Sequence, residues 1–287
     1  MSKIRHILSI SGGKDSAALA FHLRDTRPDI DFEYVFFDTG EELPETYEYL
    51  EKLERALGVK VEKIYPPKSF EKLLLQYNNF LPSPTERWCT RHLKLEALID
   101  HVKEGTIYNY VGIRADENRT GLIPHRENFY TIMPFVEDGI TLNDVKRILK
   151  EKLADHDIPD GLPKYYEKVY DKEFDITYNR TRSGCYFCFF MRQIEWVWLL
   201  EKHPDEYWKA AKFEQGGYTW IRDMSLEEFA KPTNIARVKE SYKKYEEYKK
   251  KHKIKNGTMM EEMEFLTRHD QDLDDFENDQ FCSMCAL

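Results

Sequence analysis

Nowhere in this 287-residue chain does an apolar run approach the ~20 residues that a membrane-spanning helix needs. Nor does Met1-Ser2-Lys3-Ile4-Arg5-His6 leave room for a signal peptide before the first apolar stretch, so a cytoplasmic location with no membrane partner is expected. Net positive charge is missing too. A formal charge of −9 excludes a protein that grips nucleic acid over its whole surface, though not one with a local basic face. There is no internal repeat, and the nine histidines form no metal-ligand spacing. Cysteine is scarce, with only Cys89, Cys185, Cys188, Cys282 and Cys285. In a reducing compartment the two C-x-x-C pairs read more naturally as metal or cluster ligands than as disulfides. Two nucleotide-loop signatures also fail. Walker A needs a glycine where Leu8 stands and Ser or Thr where Asp15 stands, and no third glycine completes a dinucleotide fingerprint.

What is present is Ser9-Ile10-Ser11-Gly12-Gly13-Lys14-Asp15-Ser16, which turns an apolar run beginning at Ile7 into a phosphate-sized loop. Two glycines let the backbone approach an anion, Lys14 adds positive charge, and Asp15 to Ala20 opens a helix whose free N–H groups form an anion site. The stretch resembles the SGGKDS loop of the PP-loop ATP pyrophosphatases, which implies cleavage of ATP between its α and β phosphates. The plain alternative is a glycine-rich strand-turn-helix junction with no ligand.

In chain order, Phe32–Phe37 reads as a second strand delivering Asp38-Thr39-Gly40, and a helix runs from Pro44 to Leu57. Val59–Ile64 is a third strand and Thr106–Ile113 a fourth, which brings Arg114 to the same sheet edge. Between them, 69–105 reads as two helices interrupted by Leu81-Pro82-Ser83-Pro84-Thr85. This alternation implies an α/β fold with a doubly wound, mostly parallel sheet. A 41% hydrophobic content supports a sizeable core. A soft boundary near 155 divides a nucleotide-binding domain, 1–155, from a strand-poor, mainly helical cysteine-bearing region, 156–287, with helices expected near 192–202, 205–213 and 234–253.

Four stations carry a wider resemblance: Ser11 to Ser16; Asp38-Thr39-Gly40 with Pro44-Glu45-Thr46; Arg87-Trp88-Cys89-Thr90 with Lys94; and Gly112-Ile113-Arg114 with Glu117 and Arg119. Together they look like the phosphoadenosine phosphosulfate reductase family in the broad sense, within the adenine nucleotide α-hydrolase-like, Rossmann-like fold. Arg182-Ser183-Gly184-Cys185-Tyr186-Phe187-Cys188 resembles the R-x-G-C-x-x-C of its ATP-using sulfurtransferases, such as the enzyme of DNA phosphorothioation. The resemblance implies a nucleotide site of Ser11, Gly12, Gly13, Lys14, Asp15, Ser16, Asp38, Thr39, Gly40, Arg87 and Arg114, with Lys14, Asp15, Cys89 and Arg114 catalytic. Lys14, the loop amides and Mg²⁺ would stabilise a leaving pyrophosphate, with Asp15 or Asp38 helping to hold the ion. The expected reaction is adenylation of a substrate, for sulfur transfer to a nucleic acid or related acceptor. A sulfonucleotide reductase with a cysteine nucleophile and a non-catalytic nucleotide-binding module are the rivals.

Cys185, Cys188, Cys282 and Cys285 would make a four-thiolate site suited to a 4Fe–4S cluster, or to zinc. Alternatively Cys282-Ser283-Met284-Cys285 is a redox pair, and Cys89 joins Cys185, Cys188 and one terminal cysteine, acts as a free thiol, or is simply core. At Cys89 the family's paired-cysteine pattern is broken by Thr90 and His92-Leu93. Finally, 237–255 holds nine Lys/Arg against three Glu, and 261–279 nine Asp/Glu against one Arg. The plain reading is a solvated basic helix and an acidic tail; the functional one is a contact with nucleic acid, a partner or a sulfur-donor protein.

Overall fold

A computed structural model describes residues 3–117 and 127–252. Five parallel strands form the central sheet: β1 (Ile4–Ser9), β2 (Phe32–Phe37), β3 (Glu62–Ile64), β4 (Thr106–Tyr110) and β5 (Phe129–Ile132). Their order is β3-β2-β1-β4-β5. The chain steps outward from β1 to β3 and then crosses back to β4, so the order reverses between β1 and β4. In such a sheet the crevice beyond the strand ends at that point is the ligand site. Ile7 and Leu8 face opposite sides of β1, and both are fully buried, as a strand with helices on both faces requires.

One face is covered by α1 (Lys14–Thr26), α2 (Pro44–Leu57) and α7 (Leu142–Leu153). The other meets α5 (Glu96–His101), reached from α4 (Trp88–Thr90) through a π-helical turn, Arg91–Leu95. The remaining helices are α3 (Phe70–Gln76), α6 (Pro134–Glu137), α8 (Gln193–Lys202), α9 (Pro204–Ala211), α10 (Leu226–Phe229) and α11 (Pro232–His252). Among the described residues no helix is long and apolar enough to cross a membrane.

The sheet and the helical C-terminal region agree with the expected fold class, with differences at short elements. β5 was not expected; it is a four-residue edge strand with Tyr130 exposed, too short to show a period. The strand-poor second half carries an antiparallel hairpin of β6 (Val169–Asp171) and β7 (Ile176–Tyr178). α3 stops at Gln76, before the prolines, because Asn78 and Asn79 take left-handed conformations. α9 and α11 begin at Pro204 and Pro232, whose fixed φ suits a first helical turn. A third core mixes both sides of residue 155: Phe70 stacks on Trp88, and Phe187 packs against Phe70, Phe213 and Trp220.

Candidate nucleotide and thiol site

The loop after β1 is built by its own side chains. The Ser11 N–H donates to Ser16 Oγ at 3.0 Å, and Ser16 Oγ donates to Gly13 O at 3.1 Å, so the turn closes on the first residues of α1. Gly12 has φ +72°, and a Cβ there would stand 2.4 Å from Thr46 Cγ2, so conformation and space both require glycine. Tyr165 Oη donates to Gly12 O at 2.8 Å from beyond the sheet. Gly112, following β4, lies against the same turn; a Cβ on it would meet the Asp15 carbonyl carbon and oxygen at 3.1 Å.

Charge is paired around Asp15. Lys14 Nζ sits 2.6 Å from Asp15 Oδ2, and Arg114 Nη1 2.8 Å from Asp15 Oδ1. Arg114 also reaches Asp116 (2.9 Å) and Glu117 (2.7 Å). Burial pushes the Asp15 carboxyl up, but the charges and hydrogen bonds of Lys14 and Arg114 outweigh it and hold the group below its ordinary value. Asp38, buried at the end of β2, accepts from the Gly40 N–H at 2.9 Å and from Tyr47 Oη at 2.8 Å. Thus Ser11 to Ser16 and Arg114 are brought together, with Asp38, Thr39 and Gly40 at the neighbouring strand end.

Arg87 lies on a different wall. Its Nε donates to Pro84 O at 2.8 Å, and its guanidinium stacks on Phe190, 5.2 Å from the ring centroid; Arg182 stacks on the same ring at 5.7 Å. Phe190 lines a cavity of about 40 Å³ that also receives Cys89, Cys185, Cys188, Lys94 and Thr39. The three described cysteines therefore share one small, mostly apolar chamber, each half-buried and outside any disulfide among the described residues. Cys282 and Cys285 lie outside the described residues. Among those described, no group of three or more His, Cys, Asp or Glu side chains is arranged to hold a metal ion.

Thr39 joins the two walls. Its hydroxyl donates to Glu42 Oε1 at 2.8 Å and lies 3.3 Å from Cys185 Sγ. Glu42 is buried, and its Oε2 has no hydrogen-bond partner among the described residues. Burial raises its carboxyl to about 7, with Lys94 and the Thr39 hydroxyl offsetting only part of the effect. Burial, followed by the Glu42 charge, likewise pushes the Cys185 thiol up. The cysteine turn also touches the phosphate loop, because Ser183 Oγ lies 2.7 Å from where a Cβ on Gly13 would be. Sequence reasoning passed over Tyr165 and Glu42 and gave Ser183 only a place in the cysteine motif; their roles come from contacts between distant segments. Of the basic stretch 237–255, only 237–252 is described. There Lys239 is buried and paired with Asp171 and Glu201 at 2.7 Å each, so it is no part of an exposed basic face.

A glycine-rich loop at a helix start, set where a parallel sheet reverses its strand order, defines an α/β nucleotide-binding domain. Residues 5–133, somewhat less than half of the chain, match the family model of the phosphoadenosine phosphosulfate reductase domain. Two uncharacterized proteins of Methanocaldococcus jannaschii are similar: one is 32% identical over 193 residues, the other 26% over 212. The matches cover 63% and 69% of this chain but only 35% and 44% of those proteins, so the chain spans less than half their length. Among solved structures, a phosphoadenylyl-sulfate reductase from Candida auris in a phosphate complex is 17% identical. That match covers 51% of this chain and 72% of the other, with a TM-score of 0.38.

Proposed function

We propose that the chain cleaves MgATP to AMP and pyrophosphate, adenylating an acceptor for sulfur transfer. The observation that carries this reading is the shared wall: the turn bearing Cys185 and Cys188 packs directly on Gly13 of the phosphate loop and on Thr39. Activation by a nucleotide and sulfur chemistry at a thiol are thus neighbours. Both Lys14 and Arg114 are held by Asp15. A triphosphate competes for those cations, which then neutralise charge developing on the leaving pyrophosphate, while the released Asp15 carboxylate and Asp38 are hard oxygen ligands suited to Mg²⁺. An acceptor of nucleic-acid type rests on resemblance alone.

For a thiolate-bound centre, the chamber supplies the right kind of donor for iron–sulfur or zinc, three thiols between apolar walls beside Lys94, but as arranged the described side chains do not form a metal-holding group. A centre would need Cys89, Cys185 and Cys188 to converge, with a fourth ligand from Cys282 or Cys285. When bound, such a centre supplies electrons or holds a sulfur; the protein's own part is to keep the thiols on one wall and water out.

The family match of residues 5–133 equally favours a second reading, reduction of a phosphosulfate nucleotide with a cysteine as nucleophile. Pyrophosphate release decides between them. The purified full chain should release pyrophosphate from MgATP, and Lys14→Ala should lose at least tenfold of that rate. Turnover of phosphoadenylyl sulfate without any ATP cleavage would overturn the first reading in favour of the second.

A further inference from the structure

We propose that Arg180 is a positioning residue that sets the turn of Cys185 and Cys188, an inference that rests on the thiol-chamber reading above. Arg180 is only 1% exposed and forms no ion pair with a carboxylate among the described residues. A buried guanidinium is costly unless its donors are satisfied. Here main-chain carbonyls do most of this: Nε donates to Arg182 O at 3.0 Å, Nη2 to Gly184 O at 3.0 Å and Cys185 O at 2.7 Å, and Nη1 to Tyr186 O at 3.3 Å. Nη1 also lies 3.6 Å from Met191 Sδ.

Four carbonyls from a five-residue span are thereby gathered on one cation. The turn itself supplies one donor, the Cys188 N–H to Cys185 O at 3.0 Å, while Gly184 O and Tyr186 O take theirs from Arg180. With the carbonyls drawn inward, the rest of the turn faces the strand ends. Cys185 bridges Glu42, the Tyr186 N–H donates to Glu41 O at 2.8 Å, and Cys185 and Cys188 both open into the chamber. Only a planar fork with five donors can span this set. Lysine offers three donors on one nitrogen, and glutamine two on one nitrogen. Removing the fork leaves buried carbonyls unpaired, which favours rearrangement of this turn over collapse of the whole fold.

The test compares the full-length wild type with Arg180→Lys and Arg180→Gln, metal-free, reduced and anaerobic, at a temperature where circular dichroism shows each to be folded. Phenylarsine oxide bridges two close thiols, whereas N-ethylmaleimide reads the access to each one singly; mass spectrometry assigns the sites. The wild type should capture the arsenical across Cys185 and Cys188. Both variants should capture it at least tenfold more weakly, while maleimide labelling of Cys185 speeds up. A residue that merely stabilises the fold would lower the thermal midpoint without changing the ratio of the two reagents. Folded variants that capture the arsenical within twofold of wild type would overturn the proposal, and so would an Arg180→Lys protein that cannot fold. No nucleotide is used, so failure here is separate from failure of ATP cleavage. A wild type that captures no arsenical would remove the paired-thiol reading itself.

Discussion

Gly13→Ala tests whether the phosphate loop and the cysteine turn act as one unit. Gly13 has φ −103° and ψ 165°, a conformation open to alanine, so the substitution carries no backbone strain. On its own that favours the variant by about 0.4–1 kcal/mol, through a less mobile unfolded chain. Against this, the new methyl would stand 2.7 Å from Ser183 Oγ, inside any real contact distance, and 3.4 Å from Ser183 Cβ. Ser183 is itself buried, and Tyr165 holds Gly12 O of the same loop, so moving the hydroxyl disturbs a packed wall. Overpacking of this kind costs ~1–3 kcal/mol. In a Ser183→Ala background the clashing oxygen is gone and the two remaining contacts, Ser11 Oγ and the Cβ of residue 183 at 3.4 Å each, are ordinary, so alanine at 13 becomes neutral or stabilising. The expected coupling in the double-mutant cycle is ~1–3 kcal/mol, read from urea unfolding of the four proteins. The affinity for ATP should fall in Gly13→Ala and recover in the double variant. Effects that add to within ~0.5 kcal/mol would refute the contact and the shared wall built on it.

Three further outcomes follow from the geometry. Gly112→Ala puts a methyl 3.1 Å from rigid backbone of Asp15 and should weaken ATP binding at least tenfold by calorimetry; unchanged affinity would contradict the packing of β4's end on the loop. Because the buried Glu42 carboxyl is raised to about 7, the metal-free wild type should lose stability as pH rises from ~4.5 through 7, by up to about 3 kcal/mol. Glu42→Gln should remove that slope, and parallel stability curves for the two proteins would show the group to be solvated. Asp144, held at about 2 by hydrogen bonds from Thr141 and then Arg147 in the cap of α7, stabilises the fold above the ordinary carboxylate pKa and loses its contribution as pH falls toward 2. Asp144→Asn should therefore be less stable at neutral pH and flatter in acid, as measured by chemical unfolding from pH 5 to 2.

Much of the sheet was legible because Ser11 to Ser16 combines local signals, namely an apolar strand, two glycines and a helix start, each readable without distant partners. β1, β2, β4 and α2 follow from equally local patterns. β5 and the β6–β7 hairpin were not legible, since three or four residues at an edge carry almost no period and take their strand form from a neighbour. The meeting of Cys89 with Cys185 and Cys188 stood among the open alternatives. It depends on Phe187 packing beside Phe70 and Trp88, and spacing along the chain holds no trace of that. Arg180 gave no signal because a buried arginine bound to carbonyls looks, in sequence, like any surface arginine.

The mixed core also dictates an order of events during synthesis. Phe70 and Trp88 emerge long before Phe187, Phe213 and Trp220, which cover them, and before Val238 of α11 in the same core. At ribosomal speeds of about 5–20 residues per second, the stretch from Trp88 to Val238 takes roughly 8–30 s. At the start of that interval β4 and β5 are still being added to the sheet, while Phe70 and Trp88 present an aromatic face whose partners arrive only later, a surface open to association with other chains.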